Sequence, residues 1–205
     1  MGEGSDSRTD ESRNGGDGAA RDGGGDSDSG NSAPTNDGDR FDRLPATADE
    51  RVVERRPTRR AVLSWWDERF GIAPAVFESH TFWERGRGKI WVFRGEPETP
   101  VAIEGLGMTA LRTRGEHWKP TMAAVQRFGG HATRNVVHLD RQRAEEFLAG
   151  RDQDLDWDGD WGYLIVTHDL AGDSEPLGVG LFVYGELRSQ VPKGRRRELD
   201  TAPTE

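Results

Sequence analysis

Residues 161–197 read WGYLIVTHDLAGDSEPLGVGLFVYGELRSQVPKGRRR, and they decide the fold class. Trp161 to His168 and Leu177 to Tyr184 are apolar, branched runs joined by a polar turn, the pattern of paired strands. Gly185 to Val191 reads as a last strand. Sheet hydrogen bonding between such short neighbours is antiparallel.

Working outward, Asp140 caps a helix that ends at Gly150, and Thr133 to Leu139 is a strand. Pro120 to Phe128 reads as a short helix stopped by Gly129-Gly130. Val101 to Ile103 and Thr109 to Arg112 look extended. Residues 80–84 and 89–93 form a hairpin around Arg85-Gly86-Arg87-Gly88. After Pro74 a helical turn fits residues 75–79. Thr58 caps a helix over 59–70, with Val62, Trp66 and Phe70 on one face and Gly71 after its end. Short strands with a few small helices predict an α+β fold around an antiparallel sheet or barrel.

Residues 1–40 are a different material. Their apolar residues are Met1, Ala19, Ala20 and Ala33, set among ten glycines and ten carboxylates. Such a segment buries too little surface to offset its ordering entropy, which predicts a disordered acidic tail over 1–45. Phe41 to Arg56 is transitional. The 205 residues carry a formal charge of −9, no cysteine, and 25 arginines against Lys89, Lys119 and Lys193. Disulfides, thiolate nucleophiles and cysteine-held zinc are excluded. No run of about 18 apolar residues occurs, so no membrane-spanning helix is expected. With no apolar h-region in the first forty residues, a cytoplasmic protein is expected. The acidic, arginine-rich, lysine-poor balance suits a salt-adapted proteome, and a halophilic archaeon is the expected source.

Several patterns touch on chemistry. Asp154-x-Asp156-x-Asp158-Gly159 matches the start of a calcium loop, but position twelve is Ile165 and the flank reads as a strand. Gly105-Leu106-Gly107-x-x-Ala110 has dinucleotide spacing without the long helix that the fingerprint needs. His80, His117, His131, His138 and His168 show no zinc spacing. No metal and no cofactor are expected. His117, His131 and Asp140 are the acid–base candidates, without supporting spacing. Trp65, Trp66, Trp83 and Trp91 fall in periodic segments and read as core. Trp118, in a turn before Lys119-Pro120, reads first as core; of the aromatics it is the one placed to stack on a base, the alternative reading.

The sharpest charge anomaly is Arg188 to Arg197, which holds Arg188, Lys193, Arg195, Arg196 and Arg197 and no carboxylate. Guanidinium forks match phosphate oxygens in pairs. Arg112, Arg114 and Lys119 form a second, looser basic group. The alternative for the end of this run is a solvated, frayed terminus.

Phe70-Gly71-Ile72, Phe82-Trp83-x-x-Gly86 and Lys89-Ile90-Trp91 resemble the segment after the catalytic domain of Nol1/Nop2/Sun-type RNA cytosine-C5 methyltransferases. Gly105-Leu106-Gly107, Leu111-Arg112 and Lys119-Pro120-Thr121 resemble its continuation. Gly162-Tyr163-Leu164-Ile165-Val166, Pro176-Leu177-Gly178-Val179-Gly180, Gly185-Glu186-Leu187-Arg188 and Pro192-Lys193-Gly194-Arg195 resemble its closing part. The end is also similar to the PUA domains of Nip7-type ribosome-assembly factors. These motifs cover about residues 65–197 in order. Ser189-Gln190-Val191 departs from the polar-aromatic triplet that the resemblance implies before Pro192.

The resemblance implies a PUA-like, RNA-binding pseudo-barrel; the Rossmann-like domain, S-adenosylmethionine loop and catalytic cysteines of the methyltransferase part are not found in this sequence. The expected organisation is a tail over 1–45, a helix and hairpin subdomain over 57–98, a PUA-like antiparallel pseudo-barrel over 100–197, and a flexible tail over 198–205. The expected function is stand-alone binding of rRNA or tRNA, in modification or ribosome biogenesis, through Arg112, Arg114, Trp118, Lys119, Arg188, Lys193, Arg195 and Arg196. The alternatives are an accessory subunit that delivers RNA to a separate RNA methyltransferase, or a protein-interaction domain. Catalysis, DNA and membranes are not expected.

Overall fold

A computed structural model describes residues 40–97 and 103–200. The first sheet joins β1 (Asp42–Arg43), β2 (His80–Glu84), β3 (Lys89–Arg94), β4 (Met108–Arg112) and β5 (Lys119–Pro120) in that order, all antiparallel. The second holds β6 (Val136–His138), β7 (Gln153–Asp154), β8 (Gly162–Leu170), β9 (Asp173–Val183) and β10 (Glu186–Ser189) in the order β6-β8-β9-β10-β7. Four helices accompany them: α1 (Arg59–Phe70), α2 (Met122–Phe128), α3 (Arg141–Leu148) and α4 (Lys193–Asp200). The fold is α+β, with curled sheets and short helices.

Each of the first three helices starts where a polar side chain can cap it. Thr58 Oγ1 accepts the Ala61 N–H at 3.0 Å, Thr121 Oγ1 that of Ala124 at 3.2 Å, and Asp140 Oδ1 that of Arg143 at 2.9 Å. α1 ends because Gly71 turns left-handed at φ 64°, returning its N–H to the carbonyls of Asp67 and Trp66. A Cβ there would also strike Thr133 Oγ1.

Strand β8 shows why its sequence is continuously apolar. Ile165 packs with Val62, Trp66, Phe70, Phe77 and Val179 in one core. Its neighbours Leu164 and Val166 face a second core with Leu139, Phe147 and Leu187. Alternate residues therefore meet apolar partners on both faces of the strand.

The structure departs from the expectations in identifiable places. Residues 1–39 of the expected tail, and Val101 and Ala102 of an expected extended segment, lie outside the described residues. Residues 40–45 are ordered: Phe41 is buried against Trp83 and Leu106, and Leu44 joins the main core. The first sheet takes β4 and β5 from beyond residue 100, so it runs across the boundary expected near 98–100. α2 begins at Met122 because Lys119 and Pro120 pair with Arg112 and Leu111. β6 starts only at Val136, since the N–H groups of Thr133 and Arg134 donate to Phe70 O. β6 is parallel to β8, an exception to the antiparallel expectation. Beyond Pro192 the basic run is helical, and residues 198–200 of the expected flexible tail belong to α4.

Two weak motifs have structural uses. Gly107 sits at φ 64°, where a Cβ would lie 2.1 Å from Val92 O, so close backbone approach explains this glycine. Asp154 lies in β7 opposite Glu186, and Asp152 Oδ1 accepts the Ser189 N–H at 3.0 Å.

Candidate nucleic-acid interface

The β4–β5 pairing sets Arg112 opposite Lys119 at one margin of the first sheet. Arg112 is exposed and Lys119 half-buried. Lys119 Nζ donates to Gln190 Oε1 at 2.6 Å, which joins this margin to the chain just after β10. Burial, and then the nearby Arg112 charge, push the Lys119 ammonium below its ordinary value. Pro192 then starts the turn that becomes α4, and its carbonyl accepts the Arg195 N–H at 3.0 Å. Arg195 Nη1 donates to Gln126 Oε1 on α2 at 3.2 Å. The C-terminal segment thus docks against the β5–α2 corner by two side-chain hydrogen bonds. Arg112 and Lys119 face each other across β4–β5, and Arg195 is held on α2, the helix that follows β5. Lys193 opens α4 and is exposed.

Other expected site residues are placed differently. Arg188 Nε donates to Glu186 Oε2 at 2.7 Å, and this bond raises its already high pKa. Arg196 lies against Gly150 and its Nε donates to Val191 O at 2.8 Å, which closes the turn before α4. Arg114 lies apart from the β5–α2 corner, in a cleft of about 930 Å³ also lined by Arg55, Arg87 and Gly88. The backbone of Arg114 would touch a Cβ on Gly88 at 2.9 Å.

Trp118 lines a third region, a cleft of about 800 Å³ between α1, the loop before β5, and the adjoining ends of β8 and β9. Its ring lies 6.4 Å from that of Trp65. Trp65 is not core, as its periodic placement had indicated. It is half-buried on the margin of the main core and lines the cleft, while Trp66 beside it is fully buried. His117 meets Trp161 edge to face at 5.2 Å and 89°. Arg69 Nε donates to Tyr163 O at 2.9 Å, and Arg69 Nη2, packed over Gly162, has no hydrogen-bond partner. Desolvation lowers the Arg69 pKa, partly offset by Asp160.

The sequence reading missed Arg69, Trp161, Gln126 and Gln190 as site residues. One signal was available for the cleft: Ala61, Trp65 and Arg69 repeat at i, i+4 and i+8, marking a second face of α1 beside its buried face. Of the acid–base candidates, Asp140 is engaged as the α3 cap. Among the described residues, no group of three or more His, Asp or Glu side chains is placed to hold a metal ion, and no helix is long and apolar enough to cross a membrane.

Comparison with known proteins agrees with the placement of the second sheet. Residues 134–197 match the PUA domain of methyltransferase RsmF. Residues 26–107 match a family of unknown function, DUF7122. The chain is also 26% identical over 108 residues to ribosomal RNA small subunit methyltransferase F of Aeromonas salmonicida (strain A449). That similarity covers 51% of this chain and 22% of the relative, so the chain spans about a fifth of that protein's length. The matched PUA segment begins before β6 and ends within α4, and takes in the whole second sheet. Residues 134–197 therefore form a PUA-like region similar to that of Sun-type RNA methyltransferases.

Proposed function

We propose that this chain binds structured RNA, either rRNA or tRNA, through the basic margin of Arg112 and Lys119 together with Arg195. The observation that carries the reading is the Lys119–Gln190 hydrogen bond, which ties the Arg112/Lys119 margin to the chain just ahead of the C-terminal basic run. Guanidinium and ammonium groups at such a corner suit successive phosphates. Arg114, Lys193 and the half-buried Trp118 extend the same reading to the neighbouring surface. These residues supply no cysteine thiolate for methyl transfer, and RNA binding is the role read for them. The setting is cytoplasmic and salt-adapted. At about 1 M salt the Debye length is ~3 Å, so direct contacts must dominate and affinity should fall only shallowly with salt.

In-cell crosslinking of the tagged chain at native salt, followed by sequencing of attached RNA, tests this. One rRNA or tRNA site should be enriched, and lost in a triple Arg112→Ala, Lys119→Ala, Arg195→Ala variant. No enriched RNA would leave a protein-interaction role in its place.

A second reading takes its cue from the name of the relative, ribosomal RNA small subunit methyltransferase F. In it, the chain delivers RNA to a separate methyltransferase that contacts α1 and the β2–β3 hairpin. A pull-down at native salt that recovers no RNA methyltransferase would sink it.

A further inference from the structure

We propose that the aromatic cleft beside α1 receives an unstacked nucleobase from a single-stranded part of the bound RNA. The inference rests on the RNA-binding reading and adds a site to it.

The first support is aromatic surface left uncovered. Trp161, which lines the cleft, is 63% exposed. It precedes Gly162, which pairs with Phe182 at the cleft end of the β8–β9 ribbon. Core packing does not call for this side chain there. Flat, exposed indole rings are surfaces on which bases stack.

The second support is the hydrogen-bonding character of the walls. Glu68, Glu116 and Asp160 line the cleft together with a single guanidinium, Arg69. Three carboxylates repel a phosphate, which offers only acceptors. They accept N–H donors well. Arg69, the guanidinium of the lining, offers N–H donors to an acceptor. A base edge offers donors and acceptors side by side. A methylated ammonium, the other common guest of an aromatic cage, has no acceptor for Arg69.

The third support is reach. Trp118, which lines the cleft, directly precedes Lys119 of the basic margin, so the two regions are one residue apart along the chain.

The test uses the full chain and three fluorescein-labelled RNAs. They are a mixed-sequence single-stranded 12-mer, the same 12-mer in a blunt duplex, and the single strand with abasic sites. Fluorescence anisotropy should show the single strand binding about 10-fold tighter than the other two. Trp161→Ala should remove that preference, and Trp161→Phe should restore part of it, with unchanged melting temperature in both. Equal binding of all three RNAs, with Trp161→Ala neutral and Arg112→Ala/Lys119→Ala weakening each, would overturn the cleft and leave the RNA reading standing. No binding of any RNA would overturn both. Tryptophan quenching that saturates with tetramethylammonium, and that the single strand does not compete, would also overturn the base assignment.

Discussion

Lys119 Nζ and Gln190 Oε1 lie 2.6 Å apart although 71 residues separate them in the chain. The bond spans two sheets: Lys119 belongs to β5, and Gln190 directly follows β10. It therefore fixes where the C-terminal basic run sits relative to the first sheet. It also sorts the arginines of that run into those facing the shared corner and those spent on local partners.

Arg188→Ala should change RNA affinity by less than about 2-fold, because Glu186 already neutralises that guanidinium. Arg195→Ala should cost about 5-fold, near 1 kcal/mol, and lower the salt slope by about one. Filter binding across a KCl series measures both. An Arg188 effect equal to the Arg195 effect would contradict this sorting.

Lys119 also makes stability depend on pH. Its ammonium is held below the ordinary 10.5 by burial and then by Arg112. Between the lowered folded value and 10.5 the unfolded chain binds more protons than the folded one. Stability contributed at this site therefore rises with pH through that window, and the penalty is complete below it. Lys119→Met keeps the apolar stem and removes the charge, so its urea midpoint should lack this rise between pH 7 and 10. A variant that tracks the native curve would refute the assignment.

Arg56 ties β1 to β2. It is 7% exposed, and it donates to Glu84 Oε2 through Nε and to Asp42 Oδ2 through Nη2, both at 2.8 Å. Glu84 Oε1 also accepts the Gly88 N–H at 2.9 Å. Arg56→Ala removes two charge-assisted hydrogen bonds to Glu84 and Asp42 and should cost about 3 kcal/mol. Denaturant unfolding reads the loss directly. Replacing Glu84 by Gln in the same variant should recover part of it.

Gly107→Ala adds a methyl group into Val92 O at a left-handed backbone position. The strain alone is about 1–3 kcal/mol, and the β3–β4 backbone must also part to relieve the clash. Gly105→Ala meets no atom within 4 Å and serves as the matched control. Equal unfolding midpoints for the two variants would show that the close approach is not required.

The legible parts of this fold were those with local causes. α1 was readable because Thr58, the Val62/Trp66/Phe70 spacing and Gly71 all point to the same limits. The β2–β3 hairpin and the cap of α3 were readable for the same reason. α4 was not, because Lys193–Asp200 has no apolar face, and charge alone does not distinguish a helix from a frayed end. The parallel β6–β8 pair and the β7–β10 pair depend on partners remote in sequence, which no local pattern records. In the candidate site, the basic run was visible as composition. Which arginines remain available was not, although Glu186 and Arg188 stand two apart on one strand and hence on one face.

The second sheet has its two edges, β6 and β7, next to each other in the chain, with α3 between them. The partner of β7 is β10, the last strand to be made. During synthesis β6 finds its partner as soon as β8 is made, but β7 must wait unpaired until Ser189 has left the ribosome. The β7 edge of the sheet is closed last, like a buckle whose tongue is threaded at the end. A nascent chain paused before Glu186 holds an open strand edge, and is at that moment most exposed to mispairing and most dependent on chaperones.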